Sequence, residues 1–190
     1  MYLRGKKVLL RSVEEEDLEM LRELTNSPDF EKVIVGWSFP ISKKDQAEWF
    51  KNCRNDSSRL RFIIASQEGE SLGMIGLRDI DWKNGSATGL GMRIFRGKKN
   101  TQGLARDAWM TLLRYAFNEL RLNRVSISIV EYNLMSQKIN QSVGFKVEGK
   151  KRKAIYKNGK YNDLIILGCL RSDYEELAAS THYWEENNEE

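Results

Sequence analysis

The residues best suited to chemistry form one run, Arg96-Gly97-Lys98-Lys99-Asn100-Thr101-Gln102-Gly103-Leu104-Ala105, between a strand pattern and a strong helix pattern. The first turn of a helix leaves backbone N–H groups free and carries partial positive charge. Glycine there lets a ligand approach the backbone closely, and the small Ala105 does not obstruct it. With Arg96, Lys98 and Lys99 nearby, the segment has the chemistry of a phosphate or pyrophosphate cradle. A plain strand-to-helix turn with surface lysines would look the same. Neither the GxxxxGK[ST] spacing of a Walker loop nor the GxGxxG of a dinucleotide fold occurs.

The elements that must position this run are readable from periodicity. After Gly103, the apolar residues Leu104, Ala105, Ala108, Trp109, Leu112, Leu113, Ala116, Phe117 and Leu120 recur at three- and four-residue spacing. Ser12 with Glu15, and Ser42 with Asp45, read as capping boxes opening two earlier helices. Leu18, Leu21 and Leu24 form the buried stripe of the first; Ala47, Phe50 and Cys53 point inward from the second. A helix over residues 133–143 ends at Gly144, suited to a left-handed cap. One strand precedes the first helix, and strand patterns then cover residues 60–65, 72–77, 87–95, 124–130, 145–156 and 161–170, with Asn84-Gly85 and Asn158-Gly159 as hairpin signals. Hairpins rather than repeating βαβ units indicate an α+β fold with a mostly antiparallel sheet.

One domain over residues 1–179 and a polar, acidic, frayed tail over 180–190 are expected from 190 residues with no internal repeat or linker. The balance of 41% hydrophobic and 31% charged residues fits a soluble protein, with no apolar run long enough to span a bilayer and no signal-peptide pattern. Cys53 and Cys169 are far apart and lack a CxxC, so a reduced thiol pair, a cytoplasmic location and no bound metal are expected. The net charge of +4 argues against a nucleic-acid partner, and the basic run at residues 149–153 lacks interleaved stacking aromatics. Phe30, Trp37 and Phe39 lie between the only two prolines, Pro28 and Pro40, in a substrate-side loop or a short helix and turn.

Three motifs in order resemble the Gcn5-related N-acetyltransferase (GNAT) superfamily, in its branch of ribosomal-protein and polyamine acetyltransferases. Asn100-Thr101-Gln102-Gly103-Leu104-Ala105 resembles the [QR]xxGx[GA] loop, with Asn100 in place of Gln or Arg. Asn133, Ser136, Asn140, Gly144 and Phe145 resemble NxxSxxxYxxxGF. Glu148-Gly149, Arg152, Gly159, Tyr161 and Asp163 resemble the ending EG…R…G.Y.D, and the resemblance spans roughly residues 6–175. It implies a sheet splayed between the fourth and fifth strands, residues 87–95 and 124–130. It also implies acetyl-CoA as co-substrate, with pantetheine along Met92, Arg93 and Ile94. Pyrophosphate would meet Lys99, Asn100, Thr101, Gln102, Gly103, Leu104 and Ala105, and the coenzyme would reach Asn133 and Ser136. On their own the last two residues are ordinary capping types.

The implied activity is direct transfer of acetyl to a primary amine: a peptide amino terminus, a polyamine, an amino sugar or a similar small amine. An ammonium of pKa ~10 must first lose a proton, and the tetrahedral intermediate needs hydrogen-bond donors. This sequence departs from the family at both expected side chains. Asn140 stands at the tyrosine position and Gly89 at the position of an acidic residue. Asn140, Glu131 and Asp81 remain as candidates for catalysis, Asp81 with its neighbour Asp79 before a turn and Glu131 after the fifth strand. Tyr132 is a further possible acid. A non-catalytic acetyl-CoA-binding module is the alternative. A homodimer through the apolar final strand, residues 164–170, is one reading of that strand; an interior position is the other.

Overall fold

In the computed structural model, residues 2–36, 39–53, 56–95 and 103–185 are described. The strands are β1 (Leu3–Arg4), β2 (Val8–Arg11), β3 (Leu60–Ser66), β4 (Ser71–Asp81), β5 (Ser86–Ile94), β6 (Arg124–Val130), β7 (Lys146–Lys157) and β8 (Lys160–Leu170). They form one sheet in the order β1-β2-β3-β4-β5-β6-β8-β7, and every pair is antiparallel except β5–β6. The α+β architecture therefore holds, with a short first strand added, so the expected fourth and fifth strands are β5 and β6.

The helices are α1 (Leu18–Asn26), α2 (Pro28–Glu31), α3 (Lys43–Asn52), α4 (Leu104–Arg114), α5 (Leu134–Gln141) and α6 (Arg171–Ser180). Strand alternation separates two cores. Ile64 and Ile75 join Ala108, Trp109, Leu112 and Leu113 of α4 in the larger cluster. Their neighbours Ile63 and Met74 face the other way, onto Leu21 of α1, with Trp49 and Phe50 of α3 packed around them. So α4 covers one face of the sheet, and α1 and α3 cover the other.

Local signals hold with some corrections. Asp45 N–H donates to Ser42 Oγ at 3.2 Å and Ser42 N–H to the Asp45 carboxylate at 2.8 Å, a reciprocal cap. The first cap sits two residues later than the Ser12–Glu15 spacing implies. Glu14 N–H donates to Asp17 at 2.9 Å, because Asp17 is drawn inward by Arg11 and Ser71. On α3, Gln46 rather than Ala47 is the buried residue. Asn158 and Gly159 have φ of 53° and 77°, which a two-residue hairpin turn between Lys157 and Lys160 requires.

Residues 171–185 pack more closely than their polarity suggests, and the rest of the expected tail, 186–190, lies outside the described residues. β8 runs directly into α6, and Tyr183 and Trp184 pack against the large core. Tyr183 donates its hydroxyl to Asp107 at 2.7 Å, and Trp184 donates Nε1–H to the Tyr174 hydroxyl at 2.7 Å. Two aromatics with satisfied polar ends outweigh the surrounding Glu and Asn residues. β8 is paired on both edges, by β6 and β7, so the apolar run 164–170 is an interior strand rather than a dimer edge. Among the described residues no helix is long and apolar enough to cross a membrane. Cys53 and Cys169 are both free thiols.

Candidate active site

β5 and β6 are paired only at Ser86↔Arg124, Ala87↔Val125 and Thr88↔Ser126. Past that point β5 continues to Ile94 and β6 to Val130 without a partner in each other, so the sheet opens into a notch. The cause lies at the next residues. Gly76 pairs with Gly91 but Leu77 with Gly89, which leaves Leu90 as an extra residue in a bulge. Gly91 has φ of +85°, and Leu90 turns into the α1/α3 core. At Gly89 the strand lies directly on α4. An added Cβ would stand 2.6 Å from Ile127 Cγ2 and 2.9 Å from Trp109 Cη2. Hence the position expected for an acidic side chain is filled from the other side by Trp109 and Ile127.

The lips of the notch are residues the sequence singled out. Met92 and Ile94 are partly buried against the α4 core. Arg93, opposite Met74, faces the α1/α3 side instead. Its Nη1 donates to Thr25 Oγ1 at 3.0 Å, and the guanidinium lies 4.7 Å from the centre of the Phe30 ring. Burial holds its pKa below the ordinary guanidinium value, though arginine stays protonated.

Gly103 caps α4 with φ of +81°, and a Cβ there would meet Lys7 Nζ at 3.2 Å. The positive φ is what calls for glycine, since the flexible Lys7 side chain can yield. Leu104 and Ala105 follow in the first turn, where N–H groups have no helical partner. Lys99, Asn100, Thr101 and Gln102, with Arg96, Lys98 and Trp37, lie outside the described residues.

α5 begins beside the end of β6. Asn133 is its cap, accepting from Ser136 N–H at 3.2 Å and donating from Nδ2 to the Val33 carbonyl at 3.4 Å. Asn140 is 4% exposed. It donates Nδ2–H to the Ser136 carbonyl at 2.7 Å, and Nδ2 lies 3.2 Å from Ser136 Oγ. Its Oδ1 is buried with no hydrogen-bond partner among the described residues. Asn140 therefore offers an acceptor, not the proton donor its tyrosine counterpart would supply.

The two carboxylates named from sequence are occupied elsewhere. Asp81 sits opposite Ser86, at the closed end of the β5–β6 pair, and caps its own turn by accepting from Asn84 N–H at 2.9 Å and Asn84 Nδ2 at 2.6 Å. Those bonds hold its pKa below the usual carboxylate value. Asp79 takes Arg78 at 2.6 Å. Glu131 turns toward β8, accepting from Asp163 N–H at 3.1 Å, on the far side of β6 from the notch. Tyr132 donates its hydroxyl to the Lys32 carbonyl, and burial followed by the charge of Glu31 raises its pKa.

Sequence reasoning missed the clamp on the segment after α1. Lys157 is 7% exposed and donates to the Glu31 carbonyl at 2.9 Å and to the Glu31 carboxylate. Together with Tyr132 and Asn133, it fixes α2 and residues 32–33 against the β6–α5 junction. The partners are about a hundred residues apart in the chain, and no local pattern announces them.

This geometry, a parallel pair that parts at a bulge and feeds a glycine-capped helix, agrees with the sequence comparisons. The description "Acetyltransferase (GNAT) domain" fits residues 7–146. The chain belongs to the GNAT acetyltransferase family. Among its GNAT relatives, a protein described as the putative ribosomal N-acetyltransferase YdaF of Bacillus subtilis (strain 168) is 31% identical, over 90% of this chain and 95% of its own. The prophage-derived N-acetyltransferase YokL of the same organism is 29% identical, over 92% and 96%. The crystal structure of spermidine N-acetyltransferase from Vibrio cholerae in complex with CoA and spermine superposes with a TM-score of 0.81. It is 23% identical and covers 88% of this chain and 98% of its own. That likeness is one of fold.

Proposed function

We propose that this acetyltransferase carries acetyl from acetyl-CoA to a primary amine by direct attack, with the thioester held in the β5–β6 notch. The observation that carries the reading is the parting of β5 and β6 after Thr88↔Ser126. It exposes backbone donors and acceptors of Met92, Arg93 and Ile94 that an amide-bearing pantetheine arm can pair with. The first turn of α4 at Gly103, Leu104 and Ala105 would receive the pyrophosphate, with Lys99, Asn100, Thr101 and Gln102 leading into it. Asn133 and Ser136, at the start of α5, would lie beside the coenzyme.

In the reaction, the amine nitrogen attacks the thioester carbon, the C–S bond breaks, and the thiolate leaves. A backbone N–H at the Leu90–Gly91 bulge would stabilise the oxyanion. Because Glu131, Asp79, Asp81 and Tyr132 are engaged structurally, the ammonium proton would leave through solvent, and positioning would supply most of the rate. The vibrio protein's spermine supports a small amine as the acceptor class. Calorimetric titration with acetyl-CoA, followed by thiol release on adding amines, tests the reading. Saturable binding and amine-dependent release are expected; a folded protein that binds no acetyl-CoA would overturn it.

A further inference from the structure

Arg93 is unusual among the cations near the notch. Lys157 is neutralised by Glu31, and Lys32 by Asp29 at 3.1 Å. Arg93 has no carboxylate partner among the described residues: of its five N–H groups, one reaches Thr25 Oγ1, and its face rests on Phe30. Withdrawing a cation from water without a counter-ion is costly, and a stacked guanidinium with free edges is preorganised for an oxyanion. Its position excludes the coenzyme pyrophosphate as that anion. The cradle at Gly103 begins α4, which covers the opposite face of the sheet, whereas Arg93 faces α1 and α2. Along β5 it lies two residues, about 7 Å, beyond Gly91 of the bulge where the thioester is expected.

We infer that Arg93 is an acceptor-specificity residue, and that the amine acceptor carries an oxyanion, a carboxylate or a phosphate, within a few bonds of its amino group. This rests on the proposed acetyl transfer and narrows its substrate class. The guanidinium would grip the anion through paired N–H···O bonds while Phe30 and Thr25 fix its plane. The same charge repels a polycation approaching from this side.

The test compares amines of matched length bearing a carboxylate, a phosphate or no charge, together with spermidine, in the thiol-release assay. The native enzyme should favour an anionic amine over its uncharged match by about 10-fold or more in kcat/KM, the scale of a charge-assisted hydrogen bond. The better of the carboxylate and phosphate arms identifies the anion. Arg93→Gln, which keeps the backbone groups assigned to pantetheine, should abolish that preference and raise the acceptor KM by more than the acetyl-CoA KM; Arg93→Lys should restore part of it. Equal or better turnover of uncharged amines or spermidine by the native enzyme would overturn the inference, as would an effect of Arg93→Gln on acetyl-CoA alone. Calorimetry of the anionic amines with CoA-loaded protein needs no turnover, and binding of none of them also overturns it. Failure of acetyl-CoA itself to bind strikes the transfer reading instead, so the two failures are distinct.

Discussion

Lys157, at the end of β7, holds Glu31, at the end of α2, by both its carbonyl and its carboxylate across 126 residues of chain. The ammonium is buried to 7% exposure while the carboxylate side chain keeps 31%, so the two ends of the pair respond differently to removal.

Replacing Lys157 by Met removes its charge-assisted bonds to a carboxylate that is already partly solvated, with a cost of about 1–2 kcal/mol. Replacing Glu31 by Gln keeps the carbonyl contact but leaves a buried ammonium short of charge, and should cost more, about 2–4 kcal/mol. Urea denaturation of both variants measures the order. Because α2 carries Phe30 against Arg93, both changes should also raise the acceptor KM more than the acetyl-CoA KM.

Gly103→Ala tests the helix cap. A φ of +81° strains any L side chain, by about 1–2 kcal/mol. The first turn must rotate to relieve that strain, while the Lys7 side chain can step aside. Acetyl-CoA affinity should fall about 10-fold or more, with a much smaller change in melting temperature than a core deletion gives. Calorimetry and a thermal melt on one preparation read both effects.

How much of this was legible in the chain depends on how far apart the partners lie. Gly103, Asn133, the Ser42–Asp45 cap and both Asn-Gly turns act through neighbours a few residues away, and their types announce them. Gly89 was legible only as a missing acid; that Trp109 and Ile127 fill its place needs the crossing of α4 on β5. Arg93 was named for its backbone; that its side chain reaches Thr25 and Phe30 was not legible, because strand alternation and a bulge decide which face it takes. Asp81 and Glu131 looked available because composition does not show that a turn amide and the Asp163 N–H claim them. Polarity hid Tyr183 and Trp184 for the same reason: their partners, Asp107 and Tyr174, are tertiary ones.

Removing residues 181–190 should therefore destabilise the protein rather than trim a free end. Tyr183 and Trp184 leave the core, and Arg114 loses the ring it lies 3.7 Å above. Losing two partly buried aromatics should cost about 2–4 kcal/mol, read as a lower urea midpoint. A midpoint equal to that of the full chain would contradict the packing.

Acid stability should carry the mark of Asp17. Burial pushes its pKa up, but paired bonds from Arg11, both at 2.7 Å, with Ser71 at 2.7 Å and Glu14 N–H, prevail and hold it below the ordinary value. A folded-state pKa below the unfolded one means stability that is present above the unfolded pKa of about 3.9. It is lost as pH falls through the folded value. Asp17→Asn should cost about 2–3 kcal/mol near neutrality. The gap from the native protein should begin to close below about pH 4, where the unfolded chain takes up the proton first, and finish closing as folded Asp17 is protonated. A gap independent of pH would show that the loss is one of packing.

The pH dependence of turnover tests whether Asn140 has a proton to give. With Nδ2 committed to Ser136 and Oδ1 able only to accept, it has no dissociable proton to offer a leaving thiolate. The rate should then follow deprotonation of the acceptor alone, rising toward its pKa of ~10 with no descending limb from an enzyme acid. Asn140→Ala should lower kcat by less than about 10-fold and leave the shape of the profile unchanged, since only an acceptor and a helix contact are lost. A bell-shaped profile in the native enzyme would locate a proton donor elsewhere. If the descending limb then vanished in Tyr132→Phe, the Tyr132–Lys32 bond would have to open during turnover and the solvent route for the proton would fall.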